Sequence, residues 1–158
     1  MSKTPGTMTL ERTYKAPLKD VWELWTTQKG FESWWGPGGF AAKVKSMDLR
    51  PGGELEYSMI AVQPEQIAFM KKAGLPLSTD AKLTFTNIEP MKKLSYSHWV
   101  DFVPNVKPYK VETVVEMHET KQGVRMVVTM ESMHDSEWTQ RSVAGMESQL
   151  EKLTPRFS

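Results

Sequence analysis

Trp34 and Trp35 stand side by side, and Gly36 and Pro37 follow them at once. Each indole offers roughly 150–250 Å² of surface to bury. The adjacent pair therefore commits the chain to an interior at this point, and the Gly-Pro step stops a preceding helix and turns the backbone. Further on, Arg50-Pro51-Gly52-Gly53 is a second turn signal of the same kind. Between them the hydrophobic period changes, and that change dictates the order of elements.

Residues 8–15 alternate apolar and polar, with Met8, Leu10 and Tyr14 on one face, which predicts a strand. Pro17 suits the first turn of a helix, and Val21, Trp22, Leu24 and Trp25 recur at helical spacing as far as Thr27. Gly30 is read as the break, with a second short helix carrying Phe31, Trp34 and Trp35. From Ala41 the period is two. Residues 41–49 and 54–61 form a hairpin about Pro51-Gly52-Gly53, 81–89 and 92–100 a pair about Glu89-Pro90-Met91, and 109–119 and 123–132 a last hairpin about Lys121-Gln122-Gly123. The segment 135–153 returns to helical period. Asp135 or Ser136 caps it, Val143, Met146, Leu150 and Leu153 form its apolar stripe, and Pro155 ends it. Residues 64–78 are long for a hairpin connection and weakly helical as far as Gly74, so both a lid or rim and a plain covered edge stay open.

Six strands after two short helices, closed by one long helix, describe an α+β chain whose antiparallel sheet must cover one face, and the last helix is the available cover. The length of 158 residues is enough for one sizeable core. A formal charge of +1 gives no electrostatic reason to expect nucleic acid or an anionic membrane as partner. No run approaches the ~18 apolar residues a spanning helix needs, and Met1 to Thr9 lacks the apolar core of a secretory signal. Cytoplasmic location is the default. Zero cysteines exclude disulfide and thiolate chemistry. Eleven methionines suit either a soft core or an adaptable apolar pocket.

Arg12, Ala16-Pro17, Val21-Trp22, Trp34-Trp35-Gly36-Pro37, Arg50-Pro51-Gly52-Gly53 with Tyr57, and Gly145 fall in an order and spacing that resembles the AHSA1-like group, the activator of Hsp90 ATPase homologue 1-like proteins of the START/Bet v 1-like (SRPBCC) superfamily. The resemblance covers about residues 8–153. It implies the helix-grip fold, a curved seven-stranded antiparallel sheet wrapped around the long C-terminal helix, with a deep hydrophobic cavity between them. Residues 8–155 would make one domain, with 1–7 a disordered tail. Superfamily members bind lipids, sterols or polyketides, and some are cyclases or dehydratases. Relatives that activate Hsp90 form a subset, and no separate N-terminal chaperone-binding domain is expected here. Two features depart from the pattern. Gly145-Met146 stands where relatives carry Gly-Trp, and 64–78 is longer than the short turn common among them.

The chemistry-bearing residues are few. His98 shares a face with Leu94 and Tyr96, so it would lie in an apolar cavity with its pKa pushed down, able to orient a ligand or act as a base. His118 alternates outward, and His134 falls in a surface loop before the last helix. These histidines are scattered, without metal-ligand spacing. Neither a GxSxG nucleophile nor a GxGxxG dinucleotide loop is present, and no cofactor is expected. Glu54, Glu56, Glu112, Glu116 and Glu131 read as a solvated sheet face, and Arg12 and Arg50 as structural braces. Trp34, Trp35, Tyr57, Met59, Phe85, Tyr96, His98, Met130 and Met146 are the candidate ligand-binding residues, with Trp99 set apart on the face opposite His98. The expected function is binding of a small hydrophobic or aromatic ligand, in a stress or metabolic role, by a monomer or homodimer. The alternatives are co-chaperone-like stimulation of the Hsp90 ATPase and a cyclase or hydrolase that uses His98.

Overall fold

The computed structural model describes residues 6–36, 38–101 and 103–157. Its elements run β1 (Thr7–Tyr14), α1 (Leu18–Thr26), α2 (Gln28–Glu32), β2 (Phe40–Met47), β3 (Glu54–Ala61), α3 (Pro64–Lys72), β4 (Ser78–Glu89), β5 (Lys93–Val100), β6 (Tyr109–Thr120), β7 (Gly123–Glu131) and α4 (Ser136–Glu151). The seven strands make one antiparallel sheet in the order β1-β7-β6-β5-β4-β3-β2. This is the expected α+β helix-grip arrangement. β1 starts at Thr7, one residue before the expected domain start; Gly6 of the expected tail is described, and residues 1–5 lie outside the described residues together with Pro37.

Consecutive strands β1 and β2 sit at opposite edges of the sheet, so α1 and α2 must carry the chain from one edge to the other. They do so over the inner face and bury Val21, Trp22, Leu24, Trp25 and Phe31. Those side chains share one core with Val115, Met126 and Val128 of β6 and β7 and with Met146 and Leu150 of α4. The alternation read from β6 and β7 holds: Val111, Thr113, Val115 and Met117 are buried, as are Val124, Met126, Val128 and Met130.

Three local readings are corrected. The break between α1 and α2 is at Thr27, whose backbone is extended and whose hydroxyl accepts from Gly30 N at 3.0 Å, a side-chain cap. Gly30 lies inside α2, at a position where a Cβ would overlap the Glu23 carbonyl. Trp34 and Trp35 lie beyond the end of α2, and Gly36 turns the chain with φ +107°. The weakly helical stretch read within 64–78 is a nine-residue helix, α3, but β4 begins at Ser78, three residues earlier than the alternation suggested.

Candidate functional site

The site is built on one row of side chains across the sheet. Register places Phe85, Tyr96, Thr113, Met130 and Met8 opposite one another on successive strands, all on the face toward α4. Period-two alternation then puts Tyr57, Leu83 and His98 on the same side. Over this floor α4 lies as a bridge held at both ends. At its start, Asp135 caps Trp138 N at 2.9 Å, and Trp138 packs with Val100, Val111 and Met133. Toward its end, Tyr14 donates from its hydroxyl to Leu150 O at 3.3 Å, and Arg12 meets Glu151 at 3.2 Å and Glu147 at 3.8 Å. Burial raises the Tyr14 hydroxyl to about 12. Lys152 donates to Phe40 O at 3.1 Å.

The Trp-Trp turn is tied to the same helix. Gly36 N donates to Gln149 Oε1 at 2.8 Å, and Gly38 N donates to Ser148 Oγ at 3.0 Å. The two indoles have different roles. Trp34, 1% exposed, packs 4.8 Å from Trp25 and donates to Leu24 O at 2.8 Å. Trp35, 6% exposed, stacks on Phe31 at 4.7 Å, and its Nε1 has no hydrogen-bond partner among the described residues.

Beneath the middle of the bridge is a cavity of about 220 Å³. The sheet supplies Tyr57, Leu83, Tyr96, His98, Thr113 and Met130, and the turn supplies Trp35. α4 supplies Arg141, Ser142, Gly145, Met146 and Gln149. Gly145 has open space where a Cβ would be, so its lack of a side chain leaves room on the cavity side rather than relieving a clash.

The electrostatics of this wall are set by burial. His98 Nδ1 is sealed from solvent and has no partner among the described residues. Loss of water disfavours the imidazolium, so the His98 pKa lies below the ordinary histidine value and the ring is neutral at pH 7. Burial also raises Tyr57 and Tyr96 above the usual phenol range. The Trp35 indole N–H opposes that rise at Tyr57, being near its oxygen but outside hydrogen-bond geometry. An unmet buried polar group costs about 1–3 kcal/mol, so two in one cavity wall are a notable expense.

A second concavity meets the first. The β4–β5 ladder ends at Thr84↔Ser97, although β4 continues back to Ser78 along β3 and β5 continues to Val100 along β6. The two halves of the sheet part there and leave a seam of about 570 Å³. Tyr57, Leu83 and His98 border both spaces. The outer part of the seam carries Lys82, Lys110, Asp80, Asp101 and Trp99. Trp99 is 50% exposed, on the face opposite His98 as alternation required, and Lys110 lies 5.1 Å from its ring.

Six of the nine candidate ligand residues therefore meet in the inner cavity: Trp35, Tyr57, Tyr96, His98, Met130 and Met146. Trp34 and Phe85 are buried core and do not line it, and Met59 lies beside Gly36, also off the cavity. Arg141, Ser142 and Gln149 were not anticipated. Gln149 is three residues beyond Met146 on one helix face, and a polar residue at helical spacing within an apolar stripe is the signal that marks it. His118 is exposed. His134 is not loop surface: its side chain is 11% exposed, and its Nδ1 lies 2.6 Å from the Tyr109 hydroxyl. The outer face is less solvated than read, since Glu112 and Glu131 are half-buried and Glu131 Oε1 accepts from Glu112 N at 2.6 Å. Arg50 pairs with Asp48 at 2.8 Å, a brace like Arg12. Among the described residues, no three His, Asp or Glu side chains converge as metal ligands, and no helix is long and apolar enough to cross a membrane.

The sequence model of the activator of Hsp90 ATPase homolog 1-like protein family matches residues 15–158. No curated protein sequence matches significantly. Among solved structures, a protein from Chromobacterium violaceum superposes with a TM-score of 0.77 at 19% identity, covering 98% of both chains. The AHSA1 protein from Silicibacter pomeroyi gives 0.72 at 16% identity over 96% of both chains. An AHSA1-like protein from Aeromonas hydrophila gives 0.68 at 17% identity, over 96% of this chain and 94% of its own. At these identities the likeness establishes a shared fold.

Proposed function

The chain belongs to the activator of Hsp90 ATPase homolog 1-like family, and on that premise we propose that it binds a small hydrophobic or aromatic molecule between its sheet and its C-terminal helix. The observation that carries this reading is the cavity of about 220 Å³ under the unanchored middle of α4, walled by Trp35, Tyr57, Leu83, Tyr96, Met130 and Met146. The cavity is open to solvent beside Arg141 and Ser142, so a ligand can enter it without the sheet and helix parting. An apolar void of ~150 Å³ accepts benzene, so the space suits a molecule of one or two rings. Burial of such a body contributes about 25 cal/mol per Å² of apolar surface, and methionines at the wall let it adapt in shape.

Native mass spectrometry of the protein purified from its own host tests this reading. A retained small molecule, lost from a Met146→Trp variant, is the expected result. Wild-type protein that arrives empty and gives no change in tryptophan fluorescence with 2-methylnaphthalene would overturn it.

A second reading, a cyclase- or hydrolase-type reaction with His98 as base, has one observation in its favour: a neutral imidazole with an uncommitted Nδ1 in the cavity wall. Turnover that survives His98→Phe in any substrate screen that detects it rejects this reading.

A further inference from the structure

The seam between β4 and β5 presents unpaired main chain on both of its sides. Phe85 exchanges main-chain bonds with Gly53 and Gly52, so alternation turns the N–H and C=O of Leu83 and Ala81 toward β3 and those of Lys82 and Asp80 toward β5. Across the seam, Met117 N donates to Lys92 O at 2.9 Å, so His98 and Val100 bond to β6, and Trp99 turns its N–H and C=O toward β4. The ladder that joins the two strands ends at Thr84↔Ser97. Beyond it, the seam-facing groups of Lys82, Asp80 and Trp99 have no main-chain partner among the described residues. Residues 78–83 of β4 carry this free edge over about 20 Å, at ~3.3 Å per residue.

Exposed strand edges are commonly blunted by charged side chains that guard them. Here the charges are drawn away from the edge. Lys82 Nζ meets Glu54 of β3 at 3.2 Å, and Asp80 meets Lys45 of β2 at 2.8 Å and accepts from Ser58 of β3 at 2.8 Å. The outer edge of the sheet at β2 is guarded instead: Val44 N donates to Glu32 Oε2 at 2.7 Å, and Phe40 O accepts from Lys152. Leu83, Tyr57 and His98 border the seam from the inner face, and Trp99, half-exposed, stands on its outer rim. Main-chain donors and acceptors at strand spacing, beside an apolar wall on one face, are the complement of an extended polypeptide. A strand that already belongs to a sheet has only one edge free, so an edge strand of a second copy does not fit between β4 and β5. We propose that the seam binds an extended segment of another protein, a tail or loop with both edges free, which adds as a strand along residues 80–82 of β4. Its alternate apolar side chains point inward over Leu83 and Tyr57, and the residues between them point outward beside Trp99. Because Lys82 and Asp80 are already paired, the segment needs no net charge.

Fluorescein-labelled hexapeptides of the form Thr-X-Thr-X-Thr-X, with X set to Val, Ile, Leu or Phe, probe the seam by anisotropy titration into the full chain. The expected result is saturable binding by at least one of them. On binding, hydrogen exchange at the Lys82 and Asp80 amides should slow at least ~10-fold, while that at Leu83 and Ala81, already paired with β3, stays as it was. N-methylation of either alternate set of peptide amides removes main-chain donors and keeps every side chain, so it should weaken binding at least ~10-fold. Lys82→Pro removes an N–H that β3 does not use and should weaken binding by a similar factor. Lys82→Ala should stay within ~3-fold of wild type, because the ion pair it loses is exposed. The N-methyl comparison uses wild-type protein throughout, so it decides the matter even where Lys82→Pro does not fold. Equal binding of methylated and unmethylated peptides overturns the proposal, as does the failure of every peptide to bind. Exchange at Lys82 and Asp80 that bound peptide leaves unchanged also overturns it. So does a homodimer in light scattering that Lys82→Pro dissolves, since a second copy would then be the occupant.

Discussion

Glycine has opposite roles at two positions of this chain. At Gly30 a Cβ would overlap the Glu23 carbonyl, a backbone atom fixed by α1, so Gly30→Ala should lower stability by about 1–3 kcal/mol through overpacking. At Gly145 nothing lies within 4 Å of the added atom, so Gly145→Ala should raise stability by about 0.5–1 kcal/mol by restricting the unfolded chain and favouring the helix. Urea titration of the two variants measures both, and equal signs would refute the contrast. His98 makes a pH prediction of definite sign. Its folded-state pKa is depressed by burial, so the unfolded chain takes up a proton first as pH falls below the ordinary histidine value of about 6.5. The contribution is fully present above that value, is lost as pH falls through it toward the lower folded pKa, and is absent below both. Melting temperature should therefore decline over this window, and His98→Phe should flatten the decline relative to wild type. The inward direction of His98 was legible, because alternation with Leu94 and Tyr96 determines it. That its Nδ1 lacks a partner was not, because partners come from other strands and from α4.

At the level of elements, the seam is the feature that pattern reading missed. Residues 81–89 and 92–100 read as one complete hairpin, yet the ladder stops at Thr84↔Ser97. Period two reports which face a side chain takes and carries no information about how far two strands stay together. The seam has a main-chain consequence. Phe85 uses its N–H and C=O on Gly53 and Gly52, so the alternate residues Thr84, Lys82 and Asp80 turn theirs toward β5. Thr84 is paired with Ser97, but Lys82 and Asp80 lie beyond the end of the ladder. Native-state hydrogen exchange should find the amides of Lys82 and Asp80 exchanging at least ~10-fold faster than those of Leu83 and Ala81, which point toward β3. Uniform protection along β4 would mean that the seam closes in solution. α3 was legible only as a weakly helical stretch for another reason: it buries no residue and leaves Phe69 65% exposed, so its apolar pattern had no buried face to report. The long helix and the strand hairpins were legible because each presents one apolar face to a common core.

At the scale of the whole molecule, the cavity exists because α4 is fixed at its ends and not in its middle. Gln149 is central to that arrangement. It is buried, accepts from Gly36 N and touches Met146 Sδ through Nε2 at 3.5 Å, so it joins the Trp-Trp turn to the helix at the cavity's border. Gln149→Leu would leave Gly36 N unmet and should cost about 1–3 kcal/mol. The converse substitution is more telling. Met146 is 5% exposed and lies beside Gly145, on the helix face that looks onto the void. In a filled core, Met146→Trp would overpack and destabilise by about 1–3 kcal/mol. Over an open cavity the indole has space to enter and gains apolar burial, so the melting temperature should rise by about 2–4 °C, the shift that about 1 kcal/mol produces in a domain of this size. The same variant should bind 2-methylnaphthalene at least ~10-fold more weakly than wild type, because the ring occupies the ligand's place. Stability and affinity must move in opposite directions. A variant that loses both would show that the sheet and helix close onto each other in solution, and that the space beneath α4 is no binding site.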